Sequence, residues 1–292
     1  MSKFCFILNP HSGRNRRRPW LLARLRDWIA AQGLEATVFA TEGPHHATDL
    51  ARAAVARNCD RVVAVGGDGT MNEVACALVD TPAALGLLPG GSGNGLGRHL
   101  GIPSRLADAL RIVVTGRVAA IDTGTANEHP FFNVMGLGFD AEISRRFNVL
   151  RHRGLLNYVR AGCQAFVRYR PDTYTLASDG WERNLDCFIA AVANSDEYGN
   201  GARIAPGARV DDGRLDLVAV SPIGFLGAAG LVYRLFTGSF LRSPHVVHRR
   251  AAHFTIRRRA PGLIHVDGET RPIAAVVDVR VRPQCLRVVV PV

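Results

Sequence analysis

Three features of this sequence predict an α/β chain of two domains, a three-layer α/β domain followed by a β-sandwich-like one. Short apolar runs alternate with helical periodicities over the first 120 residues. From about residue 117 apolar runs follow one another with few helices between them. Two glycine-rich loops sit directly after apolar runs in the first half. A length of 292 residues suits two domains, each able to bury its own core.

Phe4–Leu8 reads as the first strand and runs into the turn Asn9-Pro-His-Ser-Gly13. Leu22, Leu25 and Ile29 recur at helical spacing and the pattern stops at Gly33. Ala36, Val38 and Ala40 alternate as a second strand, and Ala47, Leu50, Ala51, Ala54 and Val55 form the next helical face. Arg61–Val65 is a short buried strand feeding Gly66-Gly-Asp-Gly-Thr70, where a helix begins at once. Leu85–Leu88 is a fourth strand feeding Pro89-Gly-Gly-Ser-Gly-Asn-Gly95, and Ser104–Val114 is a helix ending at Gly116. Beyond it, strands are predicted at Phe131–Gly138, Thr173–Ala177, Cys187–Ala193, Leu215–Val220, Phe254–Arg257, Leu263–Val266 and Val276–Val281. Helices are predicted at Ala141–Leu150, Leu155–Val167 and Ile223–Phe236, the last without a strongly polar face. No Pro/Ser-rich linker intervenes, so the domains are expected at 1–120 and 121–283 across a tight junction. The final stretch, 284–292, with its strand Leu286–Val290, could return to the first domain.

The net charge of +11 is carried almost wholly by arginine, since Lys3 is the only lysine. That excludes P-loop and protein-kinase chemistry, which hold phosphates with an internal lysine. Arginine clusters at Arg14–Arg18, Arg145–Arg153 and Arg257–Arg259 suit phosphates or an anionic lipid surface. They lack interleaved aromatics, and no recognised nucleic-acid motif accompanies them, so no nucleic-acid partner is expected. The 6 cysteines include no C-x-x-C pair, which suits a reducing, cytoplasmic setting. The apolar start is too short for a signal segment. Ile223–Phe236 contains Arg234 and falls short of the ~18 to 20 residues needed to span a bilayer, so any membrane contact is expected to be peripheral.

The glycines of Gly66-Gly-Asp-Gly-Thr-Met-Asn-Glu73 let backbone approach a ligand closely, and the helix that follows offers free N–H groups to an anion. A nucleotide phosphate fits there, with Asp68 facing metal or phosphates; Thr70 and Glu73 also satisfy a capping box, a purely structural role. In the second loop, Ser92 and Asn94 offer a hydroxyl and an amide. The turn after strand one and Thr41 after strand two add candidate contacts at the same sheet edge, where open parallel sheets bind ligands. Gly136-Leu-Gly138-Phe-Asp-Ala141 mimics a dinucleotide fingerprint but lacks an acidic residue about 20 positions on, and reads as a tight turn.

Together, Asn9-Pro-x-Ser-Gly13, Gly66-Gly-Asp-Gly-Thr-x-Asn-Glu73, Pro89-x-Gly-Ser-Gly-Asn94 and Asp267-Gly-Glu269 resemble the motifs of the diacylglycerol kinase catalytic family, which includes sphingosine kinases and bacterial soluble lipid kinases. The resemblance spans nearly the whole chain. It implies an NAD-kinase-like α/β domain that binds ATP, a β-sandwich carrying the lipid site, and a cleft between them for phosphoryl transfer. By that match the nucleotide contacts fall on Thr41, Gly66, Gly67, Asp68, Gly69, Thr70, Met71, Asn72, Glu73 and Ser92, with Asn9, Ser12, Gly91 and Asn94 from the same loops. Asp267 and Glu269 become catalytic candidates beside Asp68, because a carboxylate must reach the acceptor hydroxyl. Asp-Gly-Glu in isolation reads as a solvated hairpin turn. The segment Ile204–Asp216 is similar to one that holds a structural magnesium in bacterial members, placing Mg²⁺ on the Asp212 carboxylate and the carbonyls of Arg209 and Arg214. Gly95 stands where many bacterial members carry an aspartate. The implied activity is an ATP- and Mg²⁺-dependent kinase acting on a hydroxyl of a membrane lipid of diacylglycerol, sphingoid or phosphatidylglycerol type, in peripheral contact with an anionic membrane. A kinase for a soluble acceptor such as NAD, and a non-enzymatic nucleotide- or nucleic-acid-binding module, are the alternatives.

Overall fold

A computed structural model describes residues 2–149, 165–166 and 169–292. The chain divides into two compact units, Met1–Ile121 with Gln284–Val292, and Asp122–Pro283.

In the first unit, β1 (Phe4–Leu8), β2 (Ala36–Ala40), β3 (Arg61–Gly66) and β4 (Ala84–Pro89) lie parallel in the order β2-β1-β3-β4. The end of β16 (Val276–Val290) adds beside β4, Arg287 opposite Ala84 and Val288 opposite Leu85. Every residue of β1 is buried, as expected of a parallel strand covered on both faces. The helices are α1 (Leu21–Ala31), α2 (His46–Ala56), α3 (Asp68–Leu78), the short α4 (Gly95–His99) and α5 (Leu106–Thr115). In α1 the buried residues are Leu21, Leu25 and Ile29, four apart, so one stripe faces the sheet. The step from β1 to β2 runs one way across the sheet and the steps to β3 and β4 run the other. Right-handed crossovers therefore put α1 on one face and α2 and α3, which pack together, on the other. The direction reverses between β1 and β3, and the crevice beyond the strand ends there is where such sheets bind ligands.

The second unit is a β-sandwich. One layer is the six-stranded sheet β12 (Val246–Ala251), β11 (Leu215–Val220), β10 (Ile189–Ala193), β7 (Val134–Gly138), β14 (Gly262–Val266) and β15 (Glu269–Ile273), in that order. The other holds the start of β16, β13 (His253–Arg257), β8 (Asp172–Ser178) and β9 (Trp181–Cys187), with β5 (Arg117–Ala126) and β6 (His129–Phe131) attached. Met135, Leu137, Ala190 and Val192 from the first layer meet Tyr174, Leu176, Phe254 and Val279 from the second in one core. The alternate residues Val134, Ala191 and Ala193 point to the opposite face and pack under α7 (Phe225–Thr237). That period-two alternation with both faces covered explains why β10 and β11 read as continuous apolar runs. Helix α6 (Phe139–Val149) follows β7 directly. No helix of the described residues is long and apolar enough to cross a membrane.

Several elements differ from the sequence expectation. β9 and β12 are absent from it because they are edge strands whose outward residues are polar, leaving no apolar alternation to read. β5 opens on Arg117–Ala120, where apolar Val118 and Ala120 are exposed, so its start shows no apolar-in, polar-out alternation. The run Phe131–Gly138 is broken at Phe132 and Asn133, whose N–H groups turn to Asp267. The expected helix Leu155–Val167 lies outside the described residues but for Ala165 and Phe166.

Candidate active site

Three loops of the first unit meet beyond the ends of β1, β3 and β4. Ser12 Oγ accepts the N–H of Gly67 at 2.8 Å, joining the first loop to the second. Asn15 is buried and its Nδ2 donates to the carbonyls of Asn9 and Val65, each at 3.0 Å. The second and third loops touch glycine to glycine: a Cβ on Gly91 would lie 2.6 Å from Gly67 Cα. No side chain fits at that approach, which is the physical reason for glycine at both positions. Asn94 takes a left-handed conformation, and its side chain closes the third loop on Gly91, accepting from N at 3.0 Å and donating to O at 2.9 Å. A small cavity beneath is lined by Gly66, Gly67, Asp68, Met71, Asn94 and Gly97.

Asp68 is a brace. Its Oδ2 accepts the N–H of Asn94 at 2.8 Å and its Oδ1 that of Gly95 at 2.9 Å. Burial pushes its titration upward, against the backbone N–H groups of Asn94, Gly95 and Asp68 itself, which favour the carboxylate. Each oxygen thus accepts one N–H of the third loop, so the residue expected to face metal or phosphates fixes the distance between two loops while lining the cavity. Gly95 supplies one of those N–H donors. The capping box does not form: α3 starts at Asp68, Thr70 Oγ1 accepts from Asn9 Nδ2 at 3.1 Å, and Glu73 takes the N–H groups of His45 and Ala47, each at 3.1 Å. Glu73 therefore caps α2 from the neighbouring helix. Met71 and Asn72 are buried in α3, Gly69 is half-buried in its first turn, Thr41 is buried at the end of β2, and Ser92 is exposed at the loop tip.

In the second unit, Asp267 and Gly268 are a two-residue hairpin between β14 and β15, both with positive φ, the geometry of a type I′ turn. The Asp267 carboxylate accepts three backbone N–H groups, from Phe132 at 2.9 Å, Asn133 at 2.8 Å and Val134 at 3.1 Å. It is 9% exposed, so it pins the hairpin to the break between β6 and β7. Glu269, on the other side of the turn, is half-exposed and ion-paired with Arg271 at 3.0 Å. Behind the hairpin lies a buried cluster that sequence reasoning missed. His265 Nε2 and Asp140 Oδ2 are 2.8 Å apart, and Tyr198 Oη donates to the same oxygen at 2.5 Å. Burial opposes charging His265, but Asp140 and Asp267 outweigh it and hold its pKa above the usual value. A Cβ on Gly136 would lie 2.3 Å from Asp140 Oδ2 and 2.6 Å from His265 Nε2. The first glycine of the false dinucleotide fingerprint is thus the space this pair occupies.

The segment expected to hold magnesium is already paired. Asp212 forms an ion pair with Arg250 and accepts the N–H of Arg214 at 3.1 Å, while the Arg209 guanidinium pairs with Asp211 at 3.0 Å. The buried Asp122 secures the same turn by accepting Gly213 N–H at 2.6 Å. Among the described residues no group of three or more His, Cys, Asp or Glu is placed to hold a metal ion. Each Asp212 oxygen thus has one protein partner, Arg214 N–H on Oδ1 and Arg250 on Oδ2.

Residues 3–126 match the family described as diacylglycerol kinase catalytic domain, and residues 133–290 match the YegS C-terminal NAD kinase beta sandwich-like domain. The chain is 30% identical over 281 residues to a diacylglycerol kinase of Mycobacterium tuberculosis, covering 92% of this chain and 89% of that protein. It is 28% identical to a diacylglycerol kinase of Bacillus subtilis over 276 residues, covering 92% and 90%. Among solved structures, a diacylglycerol kinase from Bacillus anthracis superposes with a TM-score of 0.75 at 18% identity, covering 99% and 97% of the two chains. An NAD kinase from Archaeoglobus fulgidus, solved in complex with ATP, shares the fold at a TM-score of 0.53 and 14% identity, covering 98% and 93%.

Proposed function

The chain belongs to the diacylglycerol kinase family, and on that premise we propose that it is an ATP-dependent kinase that phosphorylates a hydroxyl group of a membrane lipid of diacylglycerol, sphingoid or phosphatidylglycerol type. The observation that carries the reading is the interlock of the Asn9–Gly13, Gly66–Thr70 and Gly90–Gly95 loops at the reversal point of the parallel sheet. Glycines at the contact put no side chain between backbone and a ligand, and the first turn of α3 leaves N–H groups without intrahelical acceptors, which suits a polyphosphate. The ATP in the structure of the Archaeoglobus fulgidus enzyme, which shares the fold, supports the same choice of donor. ATP with magnesium would supply the phosphoryl group and offset its charge. Asp68 and Ser12 hold the three loops in register, and Asn9 and Asn94 fix the loop conformations.

The acceptor chemistry is assigned to the Asp267–Glu269 hairpin. Activation of a hydroxyl needs a carboxylate oxygen with a free lone pair. The turn offers two carboxylates for this, Asp267, oriented by the N–H groups of Phe132, Asn133 and Val134, and Glu269, ion-paired with Arg271. Purified protein incubated with γ-labelled ATP and Mg²⁺ against diacylglycerol, sphingosine, ceramide, phosphatidylglycerol and NAD tests the reading, with Asp267→Asn and Glu269→Gln alongside. Label in an organic-extractable product from one lipid is the expected result, and the variant that loses transfer names the base. Label entering NAD instead, or no transfer to any lipid by protein that binds ATP, overturns the lipid-kinase assignment.

A further inference from the structure

Helix α7 carries its apolar residues on the outside. Phe225 is 67% exposed, Leu226 86%, Val232 52%, Tyr233 70% and Phe236 47%. Ala229, Gly230 and Thr237 complete the exposed face, which bears no charge. The opposite side buries Leu231 and rests Leu235 on Ala191, Ala193, Val218 and Val220 of the six-stranded sheet. The one charged residue of the helix, Arg234, is half-buried, with Nη1 3.5 Å from the Ser239 carbonyl. A surface helix ordinarily turns its charges to water and its apolar stripe inward, so apolar residues on both sides call for a second apolar environment. Phe166, described beside the helix start, extends the surface with its ring 6.5 Å from that of Phe225.

The exposed charge beside this face is mainly basic. From Leu217 to Val266 the chain contains no Asp or Glu, and of its 7 Arg two, Arg234 and Arg242, lie on α7 and on the short helix beside it. Arg242 is exposed on the short helix packed against α7. Arg203 is exposed at the C-terminal end of α7, its N–H donating to the Leu235 carbonyl at 2.8 Å, with Asp196 at 3.8 Å offsetting part of its charge. Exposed arginines beside an uncharged apolar face, Arg242 and Arg203, complement a surface of negative charge. Thirteen residues are too few to span a bilayer, so the helix would lie in its plane.

We propose that α7 is a docking helix that seats Phe225, Leu226, Tyr233 and Phe236 in the interfacial layer of an anionic phospholipid membrane, with Arg203 and Arg242 on lipid phosphates. The inference deepens the lipid-kinase reading and rests on it for its biological sense, since a lipid acceptor must be met at a membrane. The test is co-sedimentation of the full chain with vesicles of phosphatidylcholine alone or mixed with phosphatidylglycerol. Wild type should sediment with the phosphatidylglycerol vesicles, less so as salt rises, and Leu226→Glu/Tyr233→Glu should weaken this by about tenfold or more. Both side chains already face water, so the variant is expected to melt like wild type and to keep its ATP affinity. Leu226→Trp supplies a second readout, a blue shift of its fluorescence on mixing with the same vesicles.

Equal binding to neutral vesicles, or unchanged sedimentation of the double variant, overturns the proposal. So does a dimer that the variant dissociates while vesicle binding stays the same, because the face would then belong to a second copy. Vesicle binding through α7 without phosphorylation of any lipid defeats the kinase reading and leaves the docking helix standing.

Discussion

Each of the two units uses an aspartate in a glycine turn as a brace, and the settings differ. Asp68 joins neighbouring loops, accepting N–H groups 26 and 27 residues further on, beside a cavity. Asp267 reaches back 133 to 135 residues to the break between two strands and is almost fully buried. On the proposed reading the first brace shapes the nucleotide surface, so its loss should be felt mainly as lost binding. The second pins a hairpin into a core and sits against the His265–Asp140 pair, so its loss should be felt as lost stability as well as lost chemistry. Acidic residues in similar motifs thus act through backbone geometry to different ends.

In the first unit the effect to expect is that of Gly91→Val on ligand binding. Its Cβ would fall 2.6 Å from the Gly67 Cα, a backbone atom that cannot turn aside. Overpacking of this kind costs about 1–3 kcal/mol, and the loops can relieve it only by separating. ATP affinity measured by calorimetry should fall by more than about tenfold. Wild-type affinity would show that the loops need not touch.

In the second unit, Asp267→Ala leaves the N–H groups of Phe132, Asn133 and Val134 without their acceptor, at about 1–3 kcal/mol for each that stays buried and unpaired. A lowered denaturant midpoint with unchanged ATP affinity is expected; wild-type stability would remove the distinction between the two braces. Gly136→Ala should be smaller, a matter of about 1–3 kcal/mol, because its Cβ pushes on the side chains of Asp140 and His265 rather than on backbone. Crowding there should also show as a shifted histidine titration by NMR, and an unshifted signal would mean that the pair has room to spare.

The smallest effect is on pH dependence. His265 has its folded-state pKa raised by Asp140 and Asp267 against burial. The stabilisation from charging it is therefore complete below the ordinary value of about 6.5 and is lost as pH rises through the raised one. The denaturant midpoint of wild type should fall over that window, and His265→Gln should flatten the curve. A wild-type midpoint that rises there instead would contradict the assignment of charge to the pair.

The legibility of the two units follows from the same difference in reach. In the first, strands, glycines and polar loop residues are contiguous, so the edge at which the loops meet can be read from periodicity and spacing. Asn15 escaped because a lone asparagine between arginines carries no local signal, although it ties Asn9 to Val65. Glu73 satisfied a capping box by spacing, but its partners are on another helix. In the second unit, Tyr198 and His265 stand 58 and 125 residues from Asp140, and only the fold brings them together. A trace was present in Gly136, where a glycine next to a helix start marked a tight space. Asp212 shows the same reach: Arg250, which pairs with it, lies 38 residues away and outside any motif.

The most direct test of the central claim, that the donor is held by the first unit and the acceptor hydroxyl is handled from the second, is to measure ATP affinity and lipid phosphorylation together on Asp68→Asn and Asp267→Asn. The account predicts that Asp68→Asn weakens ATP binding and transfer together, while Asp267→Asn binds ATP like wild type and loses transfer. Weakened ATP binding by Asp267→Asn, or full binding by Asp68→Asn, would contradict it.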